Sequence, residues 1–147
     1  MGILDSMYIS SNALKAHSSR LDVHTKNIAN IDTPNYVRKI PVLNTINDNS
    51  FGTVLNNMQI GNVDFSNTSP LQGGVTYGGT VEDPTLGEKI YKPGHPDADE
   101  NGYIRSSNVN PMIDIADAMV AQRAYEASLA VINITKAMAT KATEIGR

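Results

Sequence analysis

Apolar residues recur in steps of three and four near the end of the chain: Ile113, Ala116, Val120, Ala124, Ala127, Val131, Ile134, Met138, Ala142 and Ile145. That spacing puts them on one face of a single helix running from Asn110 to Ile145. At the other end Met7, Leu14, Leu21 and Ile28 stand seven apart, flanked by Ile3 and Ile31, and predict a second helix with a narrow seam. The seam is lean, because Ser10, His17 and His24 lie between its large residues. From 40 to 105 there is no helical period. Gly73-Gly74, Gly78-Gly79, Asp83-Pro84 and Pro93-Gly94 read as turns separating strand-like pieces, Val75-Thr76-Tyr77 and Glu88-Lys89-Ile90-Tyr91. The Asn-rich stretch from Asn44 to Asn67 predicts a mobile loop. The expected fold is therefore α+β. Long terminal helices pair in a coiled-coil-like layer over residues 1–36 and 110–147, with a small hairpin-rich middle over 37–109.

The ends of the helices are marked by local chemistry. Asp5 and Ser6 suit the start of the first, and Asp32-Thr33-Pro34-Asn35 stops it near Asn30, since a residue before proline is pushed out of the helical region. Asn110 is a good cap for the second, Pro111 fits its first position, and Asp114 and Asp117 face the positive end of its dipole. Lys136, Lys141 and Gly146 mark its far end. Such a helix is about 50 Å long at ~1.5 Å per residue, longer than a compact domain of this size. Its run Leu129, Ala130, Val131, Ile132 and Ile134 is apolar nearly all round, and one N-terminal helix cannot cover it. The uncovered surface implies neighbouring subunits.

Composition narrows the function classes. The chain of 147 residues is long enough for one modest core. Twelve basic side chains against fifteen acidic ones, with no basic run, leave no footprint for nucleic acid or an anionic membrane. The absence of cysteine removes disulfides, thiol chemistry and Cys-type zinc sites. No stretch approaches the ~18 apolar residues of a membrane span. The N-terminus lacks a secretory signal, so export is expected to use a different address.

Four patterns could carry chemistry. The stretch Asp97-Ala98-Asp99-Glu100-Asn101-Gly102-Tyr103-Ile104 resembles the opening of a calcium loop, with alternate oxygen ligands and a glycine at the sharp turn. The twelfth position, which needs a bidentate Glu, holds Asn108, and Pro93, Gly94 and Pro96 forbid the entering helix. A calcium-dependent binding module using Asp97 to Asn108 is thus the alternative function, against a solvent-facing turn that satisfies its own backbone. His95 beside Asp97 and Asp99 could serve a hydrolase, but no Cys, second nearby His or activated Ser completes a catalytic set. His17 and His24 lie two helical turns apart, ~10 Å, too far to share a metal. Short matches to a myristoylation pattern at Met1-Gly2 and to glycosylation sequons at Asn67 and Asn133 are read as chance. No catalytic residue, cofactor or metal site is expected.

The fourth pattern is Asn27-Ile28-Ala29-Asn30-Ile31-Asp32-Thr33-Pro34-Asn35-Tyr36. It resembles the N-terminal signature of the axial proteins of the bacterial flagellum, the rod, hook and hook-associated subunits. The long final helix with Ala121-Gln122-Arg123-Ala124-Tyr125 is similar as well. The segments Tyr91 to Asp99, Gly102-Tyr103 and Asn108-Val109-Asn110 resemble proteins of the proximal rod within that family. Asn35 stands where the family usually has glycine, and asparagine is the next-best residue for a left-handed turn. The resemblance implies terminal helices packed as a tubular inner layer around the export channel, in a rod that transmits torque through the periplasm. It implies packing by Leu14, Leu21, Ile28, Val120, Val131, Ile134 and Met138, and a turn fixed by Asn27, Asn30, Thr33, Pro34, Asn35 and Tyr36. The implied partners are further copies of the chain, proximal and distal rod subunits, a rod-to-membrane-ring adaptor and the export apparatus, with neither nucleic acid nor membrane insertion.

Overall fold

The computed structural model describes residues 3–46 and 73–145. Helix α1 spans Ile3–Ala29, strands β1 to β4 span Lys39–Thr45, Val75–Glu82, Lys89–Tyr91 and Tyr103–Arg105, and helix α2 spans Pro111–Ile145. Helix α1 stops, and helix α2 starts, where the breaker and the cap direct, while Asp5 and Ser6 lie inside α1 and Gly146 falls outside the described residues. The Asn110 side chain accepts the Met112 backbone N–H at 3.1 Å, and the first turn closes from Asp114 N–H to the Asn110 carbonyl at 3.0 Å.

The helices run antiparallel and pack on one another more extensively than any other pair of elements. Their mutual surface is not the large apolar seam. On α1 the buried residues are Ser10, Ala16, Val23, His24 and Asn27, while Leu14, Leu21 and Ile28 are only half-buried. On α2 they are Asp114, Ala121 and Thr135. Small and polar residues let the backbones approach and leave the bulky ones turned outward. Of the apolar run on α2 only Ile132 is half-buried, and Leu129, Val131 and Ile134 are exposed.

The middle differs from expectation in two ways. Strand β1 was hidden by Pro41 and by Asn44, which opens the predicted loop but lies within the strand; residues 47–67 of that loop fall outside the described residues. Strand β1 pairs antiparallel with β2, and the two-stranded sheet packs on α1. Gly78-Gly79 is also not a turn. It lies inside β2, where the register slips so that Val42 faces Gly79 and Leu43 faces Tyr77, and Gly79 takes φ 109°, a bulge conformation that glycine permits. A second pair, β3 with β4, was half foreseen in Glu88 to Tyr91, and Tyr91 and Tyr103 meet edge to face across it at 5.2 Å.

Candidate functional site: a buried polar knot at the base of the hairpin

Where α1 ends and α2 begins, one carboxylate gathers groups from two other parts of the chain. Asp114 has no solvent exposure. Its Oδ1 accepts from His24 Nδ1 at 2.9 Å and from Asn27 Nδ2 at 3.0 Å, and its Oδ2 accepts from Arg38 Nε at 2.8 Å. A buried charge without such partners would be strongly unfavourable. Burial by itself pushes the Asp114 carboxyl up, but the hydrogen bonds from Arg38, His24 and Asn27 and the Arg38 charge outweigh it and hold the group below the usual carboxylate range. The bond to Asp114 in turn raises the Arg38 guanidinium above its ordinary value. An ionised Asp114 makes His24 Nδ1 the donor.

Asn27 joins this pair to the turn. Its Oδ1 accepts the Lys39 backbone N–H at 3.0 Å and the Tyr36 hydroxyl at 3.1 Å, while Nδ2 also donates to the Lys39 carbonyl at 2.8 Å. Burial, then the Asp114 charge, raises the Tyr36 hydroxyl above its ordinary value. Between these anchors Asn30 Nδ2 donates to the Lys26 carbonyl at 2.7 Å and Thr33 Oγ1 to Asn30 Oδ1 at 3.2 Å. Asn35 takes φ 58°, the left-handed conformation expected of it, and its N–H reaches the Arg105 carbonyl at 2.9 Å. Pro34 is half-buried in the same turn.

Arg38 extends the knot outward. Its backbone N–H donates to Asn108 Oδ1 at 2.6 Å, Asn108 Nδ2 donates to the Thr85 carbonyl at 2.7 Å, and looser ion pairs reach Asp83 at 3.6 Å and Asp117 at 3.8 Å. His24, Arg38, Asn108 and Asp114 were not singled out from the sequence as members of one site. The available signal was polarity at seam positions: His24 and Asn27 stand in phase with Ser10 and His17 on the inward face of α1. The predicted packing residues are not part of the knot. Val120, Val131, Ile134 and Met138 are exposed on α2, Ile134 at 60% and Met138 at 59%.

The acidic loop has a different assignment. Asp99 Oδ1 accepts the backbone N–H groups of Asn101 and Tyr103 at 3.0 and 2.8 Å, so a prospective calcium ligand is committed to closing the turn between β3 and β4. His95 Nδ1 accepts from the Asp97 N–H at 3.2 Å, which turns the ring onto its own loop. No group of three or more His, Cys, Asp or Glu among the described residues could hold a metal.

A hairpin held by a polar knot, with its bulky apolar side chains turned outward, has the make-up of a structural subunit. The model of a family described as flagella basal body rod protein matches residues 7–36, and that of flagellar basal body rod FlgEFG protein C-terminal matches 100–145. The first match contains Asn27 and the turn, the second Asn108 and Asp114. Over the full length of both chains, this one is 33% identical to flagellar basal-body rod protein FlgC of Bacillus subtilis and 30% identical to that of Salmonella typhimurium. It is 30% identical to FlgC of Buchnera aphidicola from Acyrthosiphon pisum, over 99% of this chain and 98% of that one. The chain belongs to the flagellar basal-body rod protein family and is a structural subunit of the rod.

Proposed function

We propose that the chain assembles into the torque-transmitting rod through the outward faces of its terminal helices, with the Asp114 knot fixing how the hairpin meets the β-rich middle. The observation that carries this reading is the exposed apolar row Ile113, Val120, Val131, Ile134 and Met138 along α2. A row of that length is unfavourable in water and finds its partners between subunits. In this reading Leu14, Leu21 and Ile28 serve the same layer from α1, and residues 37–109 form its outer part. The neighbours are other copies and other rod subunits, proximal and distal, with the rod-to-membrane-ring adaptor, in the rod that crosses the periplasm. Delivery is by the flagellar export apparatus.

Ile134→Asp tests it. Because Ile134 is exposed in the single chain, the variant folds with a stability change within about 1 kcal/mol, as at ordinary surface sites. In cells it stops rod completion, giving no hook, no filament and no swimming. Glu126→Ala, on an exposed residue whose side chain accepts from Gln122 at 3.0 Å, leaves motility intact. Normal swimming by the Ile134→Asp strain removes the reading's support.

A further inference from the structure

The turn between β3 and β4 contains a chemically labile pair. Asn101 is followed by Gly102, and no other asparagine of the chain precedes a glycine. An asparagine in that setting is the most labile kind, because no side chain on the next residue bars its backbone nitrogen from the asparagine amide carbon. Asn101 is exposed, so water reaches it. The closed turn nevertheless keeps the two atoms from reacting. The Gly102 N–H donates to the Asp99 carbonyl at 2.9 Å, while Asp99 Oδ1 accepts from the N–H groups on either side of it, Asn101 at 3.0 Å and Tyr103 at 2.8 Å. To attack, the Gly102 nitrogen must lose its proton and swing toward Asn101 Cγ. Its N–H is already engaged, and the adjacent carboxylate disfavours a second negative charge. The chain at Gly102 is also wedged in place, since a methyl group on its Cα would stand 3.0 Å from Pro93 Cβ and from Tyr91 Cε2.

We propose that Asn101-Gly102 is a self-modification site guarded by Asp99: it is stable while the β3–β4 turn is closed and converts to aspartate and isoaspartate when the turn opens. In the open turn the Gly102 nitrogen, its proton lost to a solvent base, bonds to Asn101 Cγ. The Cγ–Nδ2 bond breaks, and the amide nitrogen leaves as ammonia with a proton from water. Water then opens the cyclic imide at either of its carbonyls, giving aspartate or isoaspartate. The sum is an amide and a water going to a carboxylate and an ammonium ion, with no oxidant or further reagent. Asp99 touches neither reacting atom with its side chain, and acts as a positioning residue by holding the flanking amides.

The product matters to the fold because of where it falls. Isoaspartate routes the main chain through the side-chain methylene and so adds an atom to the backbone just before Tyr103, which pairs with Tyr91 at the end of the two strands. Strand β4 carries the buried Ile104 and the Arg105 carbonyl that holds the Asn35 N–H at 2.9 Å. A chain that has stayed open long enough to convert therefore does not regain this register.

The test warms the full chain in mildly alkaline buffer made with heavy-oxygen water, with and without urea, and follows label uptake at each asparagine by peptide mass spectrometry. In urea Asn101 is expected to convert before any other asparagine. In buffer its rate falls by at least about tenfold, as for other reactions that wait on local opening. Asp99→Ala raises the rate in buffer toward the urea value, and Asp99→Asn, which keeps an Oδ1 acceptor, restores the protection. Should Asp99→Ala lose its helices by circular dichroism, the parent decides alone: its Asn101 rate climbs in urea too dilute to melt the helices, and a rate that stays flat until they melt overturns the guard. Conversion of another asparagine first in urea overturns the site. Equal rates in buffer and urea, or a folded Asp99→Ala as slow as the parent, overturn the role of Asp99.

Discussion

At the residue scale, three side chains carry more than their types suggest. Asp114 is ionised and dry, so Asp114→Asn removes the anion from beneath Arg38 and His24 and destabilises the isolated chain by about 3 kcal/mol, the scale for breaking a buried pair. Its pH dependence has a definite sign. The folded carboxyl titrates below its unfolded value, so its stabilising contribution is complete above the ordinary carboxylate range and is lost as pH falls through the lower folded value. Urea titrations between pH 6 and 2.5 should show that loss in the parent and not in Asp114→Asn; equal slopes contradict the assignment. His17 works in the opposite range. Burial, then the Arg20 charge, lowers its imidazole, so the unfolded chain takes up the proton first and stability falls as pH drops below about 6.5. His17→Leu flattens the change in midpoint between pH 7.5 and 5.5, unless the ring does not lie in the seam. Asn35 contributes conformation. Asn35→Val forces a β-branched residue to φ 58° and lowers stability by about 1–2 kcal/mol, whereas Asn35→Gly stays within about 0.5 kcal/mol in the same denaturation assay.

At the scale of the elements, each helix carries two faces with different work. The inward faces are mostly small and polar and close in part by hydrogen bonds; the outward face of α2 is apolar and exposed, while α1 also packs on β1 and β2. Among described residues the buried apolar set is short: Ala16, Val23, Ile104, Val109 and Ala121. A hairpin of that kind is marginal alone, since helices draw most of their stability from packing an apolar face. Its weakest part is the unmatched end of α2. Brief trypsin treatment of the free chain is expected to cut at Lys136 and Lys141 well before Lys39, whose backbone is held by Asn27 and by β2. First cleavage at Lys39 contradicts this ranking. The strands follow a similar logic, because β1 and β2 obtain their cover from α1 rather than from each other.

For the whole molecule, the difference between free and assembled states should appear on its methionines. Met119 and Met138 are exposed on α2 at 53% and 59%. Mild peroxide therefore converts both to sulfoxides quickly in the free chain, while in isolated basal bodies both are protected as neighbouring subunits cover the outward face. Peptide mass spectrometry reads the two rates; equal rates leave the face bare in the rod. The knot sits between this face and the β-rich middle. It joins α1, the turn, the start of β1 and the start of α2, and through Asn108 it reaches the loop after β2.

The helices, the cap at Asn110, the left-handed Asn35 and the apolar stripe of α2 were legible in the residues themselves. Each depends on neighbours within a turn or two along the chain, where spacing and side-chain type are decisive. Strand β1 and the bulge at Gly78-Gly79 were not legible, because a proline and a glycine pair have local meanings that pairing with a distant strand overrides. Nor was the choice of face. Leu14 and Leu21 announce a seam more loudly than Ser10 and His24, yet the hairpin closes through the latter. The reason lies ninety positions away, in a carboxylate at Asp114 that, once buried, must collect donors from wherever the fold can bring them. Local pattern determined what the elements are; long-range satisfaction of one buried charge decided which sides of them meet.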